Sequence, residues 1–182
     1  MFRNKKADPQ VLIDMANKQK RYEALVAVYH KELYRFAYWL AGDPTVAEDL
    51  VQETFLRAWR SLDSLLDQKA AKAWLITILR RENARRFERK QFDYSDVEQD
   101  TLTDTVSLDM EQNAERSQLQ KRIMQLDAEY REPLLLQVVM GFSGDEIAAI
   151  LELNKNTVMT RLFRARNQLK DKLEPDLKRG VQ

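Results

Sequence analysis

The residues best placed for chemistry lie in "NKNTVMTRLFRAR", residues 154–166. On a helical wheel of about 100° per residue, Val158, Leu162, Ala165 and Leu169 form one apolar stripe. Asn156, Thr160, Phe163 and Arg164 fall on the opposite side. Arginine can give two parallel hydrogen bonds to guanine N7 and O6, threonine can reach a base or a phosphate, and an aromatic can pack on a thymine methyl. The same pattern suits an amphipathic helix whose Phe163 is covered by a neighbour, so spacing alone leaves both readings open.

A second set lies in "AWLITILRRENARRFERKQ". Arg80, Arg81, Arg85, Arg86, Arg89 and Lys90 point all round the wheel, so they cannot be only the wet side of a core helix. Some positive charge is expected at a helix C-terminus, where it opposes the macrodipole. Six cations exceed that need and suit nucleic-acid phosphates. Trp74, Phe87 and Phe92 beside them could stack on unpaired bases, although Leu75 and Ile78 next to Trp74 favour a core position. A third set, in "AEDLVQETFLRAWRSL", turns Asp49, Gln52, Glu53, Leu56 and Arg60 outward, opposite Ala47, Val51, Thr54, Ala58 and Leu62. This is either a solvated face or a dock for a partner helix carrying arginines.

Catalytic constellations are missing. The chain has no cysteine, a single histidine (His30) and no glycine-rich phosphate loop, so disulfides, thiolate metal sites, histidine clusters and nucleotide cradles are excluded. The expected protein is not an enzyme and needs no cofactor.

The elements that must position these sets are helices. Among 182 residues, four are Gly and four Pro, and 44% are hydrophobic, a composition that favours an all-α protein. Helical patterns run near 20–41, 45–62 and 70–91, then near 112–126, 128–140, 144–151 and 155–173. Asp43 or Thr45 could cap the second, and Pro133 should kink the fifth or delay its start. Ser143 with Glu146 forms a capping box ahead of a helix-turn-helix layout. Charge divides the chain further. Residues 1–91 carry 18 Lys/Arg against 12 Asp/Glu, 92–113 carry seven Asp/Glu and no Lys/Arg, and 114–182 carry 12 against 10. The expected architecture is two small helical domains, 1–91 and 114–182, joined by a flexible acidic linker at 92–113. No apolar run approaches the about 18 residues of a membrane span and the N-terminus has no signal-peptide core, so a cytoplasmic protein without membrane insertion is expected.

In this order, these pieces resemble a bacterial RNA polymerase sigma factor of the extracytoplasmic-function (ECF) type, within the sigma-70 family. "AEDLVQETFLRAW" resembles region 2.2, "AWLITILRRENARRFERK" regions 2.3 and 2.4, and "YREPLLLQVVMGFSGDEIAAILELNKNTVMTRLFRARNQL" regions 4.1 and 4.2. The resemblance spans about residues 20–173 and implies a set of roles. Residues 1–91 would bind core polymerase and the minus-10 element, and 114–182 the minus-35 element. Asp49, Gln52, Glu53 and Leu56 would dock on the β′ subunit, and residues 114–140 would touch the β flap. The 64–70 segment, with Ser64, Asp67 and Lys69, would capture a flipped base, while Trp74, Arg80 and Arg81 would hold the melted minus-10 strand. Asn156, Thr157, Thr160, Phe163 and Arg164 would read the minus-35 element. The partners implied are core RNA polymerase (β and β′), promoter DNA and an anti-sigma factor, with no obligate homo-oligomer. Transcription of a specific, stress-related set of genes would follow. Four departures from the family pattern stand out. Glu152 and Asn154 replace a Gly and a Pro common in the helix-turn-helix turn, Met159 replaces a frequently basic residue, and Arg81 and Arg85 replace Asn and Asp.

Overall fold

In the computed structural model, residues 9–93 and 110–177 are described. They form seven α-helices: α1 (Pro9–Ala41), α2 (Pro44–Ser61), α3 (Ala71–Asp93), α4 (Met110–Met124), α5 (Ala128–Val138), α6 (Gly144–Leu151) and α7 (Lys155–Leu177). Two 3-10 turns, Leu62–Ser64 and Gln68–Ala70, join α2 to α3. The acidic segment expected at 92–113 falls mostly outside the described residues. At its ends, α3 continues to Asp93 and α4 begins at Met110.

The helix ends follow from local chemistry. Gly42, at φ +77°, ends α1 in the left-handed region that costs an L side chain energy. Asp43 rather than Thr45 caps α2, its Oδ1 accepting from the Val46 N–H at 2.8 Å, with Pro44 at the first helical position where no N–H is needed. α5 starts at Ala128 and runs through Pro133, so the proline does not delay it. The capping box at α6 forms as expected: Glu146 N–H donates to the Ser143 hydroxyl, and the Glu146 carboxylate accepts from the Ser143 backbone N–H at 2.8 Å.

That carboxylate lies below the ordinary range, first because the Ser143 N–H stabilises its charged form and then through the Ser143 hydroxyl. A depressed folded-state pKa supplies stability above the unfolded pKa that disappears as pH falls through the folded value. Acidification through and below the ordinary glutamate range should therefore lower the melting temperature of the wild type more than that of Glu146→Gln, as followed by circular dichroism.

Each group of helices buries its own apolar stripe, and the two stripes meet. Leu33, Phe36 and Leu40 of α1, Leu50, Val51 and Phe55 of α2, and Leu75, Ile76 and Leu79 of α3 form a three-helix core. Leu135, Leu136, Ile147, Ile150, Val158 and Leu162 of the C-terminal helices belong to the same continuous cluster. Contacts of α1 with α5 and of α3 with α6 join the two groups. The two expected helical units are thus both present, and in this arrangement they share a core rather than stand apart. Gly42 marks the seam, since a Cβ there would come within 3.4 Å of the Met124 side chain.

A candidate polymerase- and DNA-binding surface

The helix-turn-helix is set by its turn. α6 ends in a Schellman arrangement, with Leu153 N–H donating to Ala148 O at 2.9 Å and Glu152 N–H directed at Ala149 O. The residue this motif places in the left-handed region is Glu152, at φ 56° and ψ 41°. Asn154 is not the strained residue. It caps α7, its Oδ1 accepting from the Thr157 N–H at 2.8 Å. A glycine fits the left-handed region without the Cβ clash, which costs an L residue about 1–2 kcal/mol, partly offset by the greater freedom of glycine in the unfolded chain. Glu152→Gly should stabilise the protein by about 0.5 kcal/mol in urea denaturation, despite losing the exposed 3.7 Å ion pair with Arg81, which contributes little.

α7 then presents a wet face. Val158, Leu162 and Ala165 are fully buried, whereas Asn156, Thr160, Phe163 and Arg164 are exposed and Thr157 is half-buried. Phe163 keeps 64% of its surface open, so none of the helices described covers it as the packing alternative requires. Asn156, Thr157, Thr160 and Arg164 line one shallow depression with Glu129 and Tyr130 of α5 and with Arg161. Arg161 pairs with Glu129 at 3.2 Å, and the Tyr130 hydroxyl lies 3.4 Å from Arg164 Nη1. A helical wheel of α7 could not reveal Tyr130, because it enters the face from another helix. Met159 leans back on the start of α6, its sulfur 3.3 Å from where a Cβ of Gly144 would stand. It is still 48% exposed, an apolar side chain at the place where the family often has a cation.

The second face lies between α2 and α3. Asp49, Gln52, Glu53 and Leu56 of α2 and Arg85, Arg86 and Arg89 of α3 line a cleft of about 460 Å³. Asp49, Gln52 and Leu56 are exposed and Glu53 is half-buried. At its base, Glu82 is only 6% exposed. Its Oε1 lies 2.5 Å from Arg57 Nε and 2.6 Å from Arg85 Nη1, and Arg57 also meets Glu53 at 3.0 Å. A buried carboxylate needs such partners. Arg85, where the family often has an acid, therefore helps neutralise Glu82 within α3, while Arg57 ties that carboxylate to the acidic edge of α2.

The residues grouped on α3 and the preceding loop separate in space. Ser64, Asp67 and Lys69 project together from the α2–α3 connection, and Leu66 at its tip is 94% exposed. The loop is held from within: the Ser64 hydroxyl donates to Ser61 O at 2.7 Å, and Asp67 Oδ1 accepts from Lys69 N–H at 2.9 Å. Trp74 is half-buried against Leu62, Leu65 and Ala71 and supports this loop. Arg81 is exposed. Arg80 lies away from the loop, engaged by Glu132 and Ile150 of the C-terminal unit. Among the described residues no group of acidic or histidine side chains could hold a metal, and no helix is long and apolar enough to cross a membrane.

Comparison with known proteins matches both halves of the chain. The family described as Sigma-70 region 2 matches residues 25–93, and Sigma-70, region 4 matches residues 116–169. The ECF RNA polymerase sigma factor EcfG of Rhodopseudomonas palustris is 35% identical, over 82% of this chain and 82% of its own length. The ECF RNA polymerase sigma factor SigE of Mycolicibacterium smegmatis is 32% identical over 84% of this chain, which spans 61% of that relative. Among solved structures, the sigma factor RpoE of Bartonella quintana, in complex with the anti-sigma factor NepR, aligns with a TM-score of 0.71 at 32% identity. That alignment covers 85% of this chain and 98% of RpoE.

Proposed function

This chain belongs to the ECF branch of the sigma-70 family of RNA polymerase sigma factors, and on that premise we propose how its surfaces divide the work. The protein is a transcription initiation factor and not an enzyme. Residues 1–91 engage core polymerase and the minus-10 element. Residues 114–182 engage the minus-35 element, and 92–113 connect them.

The acidic edge Asp49–Gln52–Glu53, with Leu56 as its apolar centre, docks on the β′ subunit. The observation that supports this is the combination of the exposed Asp49 and half-buried Glu53 carboxylates with an exposed leucine on a helix fixed from behind by Glu82. Rigid presentation of charge around one apolar anchor suits a macromolecular partner. The 64–70 loop, with Ser64, Asp67, Lys69 and Trp74 below it, receives a flipped base, and Arg80 and Arg81 hold the opened strand. Asn156, Thr157, Thr160, Phe163 and Arg164 read the minus-35 duplex, joined by Tyr130 and Arg161 at the edge of that face. The protein works in the cytoplasm, where polymerase and chromosome are, and an anti-sigma factor holds it until a stress signal arrives.

Run-off transcription with purified core polymerase on genomic promoter fragments tests the proposal. Addition of the chain should give discrete promoter-dependent transcripts. A salt-sensitive duplex binder that yields none would instead be an ordinary helix-turn-helix regulator.

A further inference from the structure

The wet face of α7 is chemically divided. Counting about 100° per residue from the buried Val158, Met159 and Phe163 fall near 100° and 140°, and Thr160 and Arg164 near 200° and 240°. The polar pair belongs to the depression bordered by α5, where the Tyr130 hydroxyl stands 3.4 Å from Arg164 Nη1. Met159 and Phe163 lie outside that depression, and among the described residues they are the large apolar side chains that α7 exposes. Four residues apart, they are neighbours on the helix surface, with about 5–6 Å between their Cβ atoms. Arg166, the cation beside them on the wheel, is engaged by Gln137 of α5. Met159 also has a seat. Gly144, the first residue of α6, has no Cβ, and one built there would stand 3.3 Å from the Met159 sulfur. The first turn of α6, fixed by the Ser143–Glu146 capping box, backs the thioether, while the rest of the side chain meets solvent. A flexible side chain held in this way loses less freedom when a ligand covers it.

The major groove offers one distinct apolar group on its base edges, the C5-methyl of thymine. An apolar pair beside polar reading residues therefore matches adjacent thymines on one strand, stepped by about 3.4 Å along the axis. We propose that Met159 is a specificity-determining residue that receives a thymine methyl next to the one on Phe163. α7 then reads a thymine pair where a cation at 159 would meet guanine or a phosphate. The proposal rests on the reading of α7 as the minus-35 helix. Met159 carries no charge, so its discrimination comes from burying a methyl group and not from counterion release.

Holoenzyme assembled from the full chain and core polymerase tests this on duplexes randomised across the upstream promoter element. The wild type should select two adjacent thymines on one strand. Replacing each in turn by uracil, which removes only the methyl, should weaken binding about fourfold, the equivalent of one buried carbon group. Met159→Ala should lose the response at one thymine and keep it at the other, and Phe163→Ala should show the reverse. Met159→Lys should drop its thymine from the selected sequence. It should also steepen the slope of log affinity against log salt by about 0.9, one added phosphate contact. Gly144 lies outside the positive-φ region, so alanine suits its backbone, but the added Cβ would press on the Met159 sulfur. Gly144→Ala should therefore blunt the response at the Met159 thymine alone.

Uracil responses in Met159→Ala equal to those of the wild type would overturn the proposal, as would a Met159→Lys protein that selects the same two thymines. An even loss over the whole element in Met159→Ala or Gly144→Ala would mark Met159 as packing and overturn it as well. Loss of core-polymerase affinity in Met159→Ala with every base preference intact would make the patch a protein contact, again against the proposal. Selection of an upstream element without methyl dependence would sink this inference and leave the minus-35 reading of α7 standing. Selection of no upstream sequence at all would sink that reading and this inference with it.

Discussion

Reversing the charge of the docking edge, Gln52→Lys with Glu53→Lys, should abolish stable association with core polymerase. Disrupting one partner of a buried interfacial charge pair costs about 2–5 kcal/mol, and here a carboxylate becomes a cation beside a second new cation. Weakening of at least about a hundredfold is expected, since each 1.4 kcal/mol is a factor of about ten. The fold should survive. Gln52 is exposed and Glu53 makes only the partly exposed pair with Arg57, a class of contact that contributes about 0–1 kcal/mol. Fluorescence anisotropy of labelled chain titrated with core enzyme reads the loss, and circular dichroism checks the helices. Unchanged affinity would remove α2 as the dock.

Phe163→Ala should weaken use of a promoter that depends on its minus-35 element by about 1–3 kcal/mol, the range of a specific base contact. Its melting temperature should barely move, because exposed substitutions stay within about 0.5 kcal/mol. Leu162→Ala, one residue away, should behave in the opposite sense. Leu162 is fully buried, and truncating such a leucine costs about 2–5 kcal/mol of stability. The pair of variants separates a reading face from a core stripe in one helix. Competition binding of holoenzyme to promoters with and without the minus-35 element measures the first, and thermal denaturation the second. A large stability loss for Phe163→Ala would assign that ring to packing.

The helices and their caps were legible because they depend on local chemistry. The apolar period of Val158, Leu162 and Ala165, the Ser143–Glu146 box and the Asp43–Pro44 start are fixed by neighbours within a few residues. The exposed face of α7 followed for the same reason, since a residue opposite a buried stripe tends to meet solvent. The basic run 80–90 was only partly legible. Its charge was plain, but a wheel cannot say which arginine meets a carboxylate from another helix. Tertiary packing gave Arg80 to Glu132 and Arg81 to Glu152, whereas Arg85 meets Glu82 within α3 itself.

The acidic segment taught a related lesson at its edges. Its composition marked a connector, yet α3 and α4 extend into it to Asp93 and from Met110. Helix propagation adds a hydrogen bond for each residue fixed, so an existing helix can run into polar sequence.

By itself, the sequence determined a helical fold, two helical units in order, outward faces on α2 and α7 and a basic run on α3, because hydrophobic period, capping and charge are properties of residues close in the chain. Only the tertiary structure decided that Tyr130 borders the α7 face and that Met159 rests against Gly144. It also decided that the two units share a core with Arg80 at the seam. These depend on partners far apart in sequence, such as the 52 residues between Arg80 and Glu132, and no local pattern encodes such a meeting.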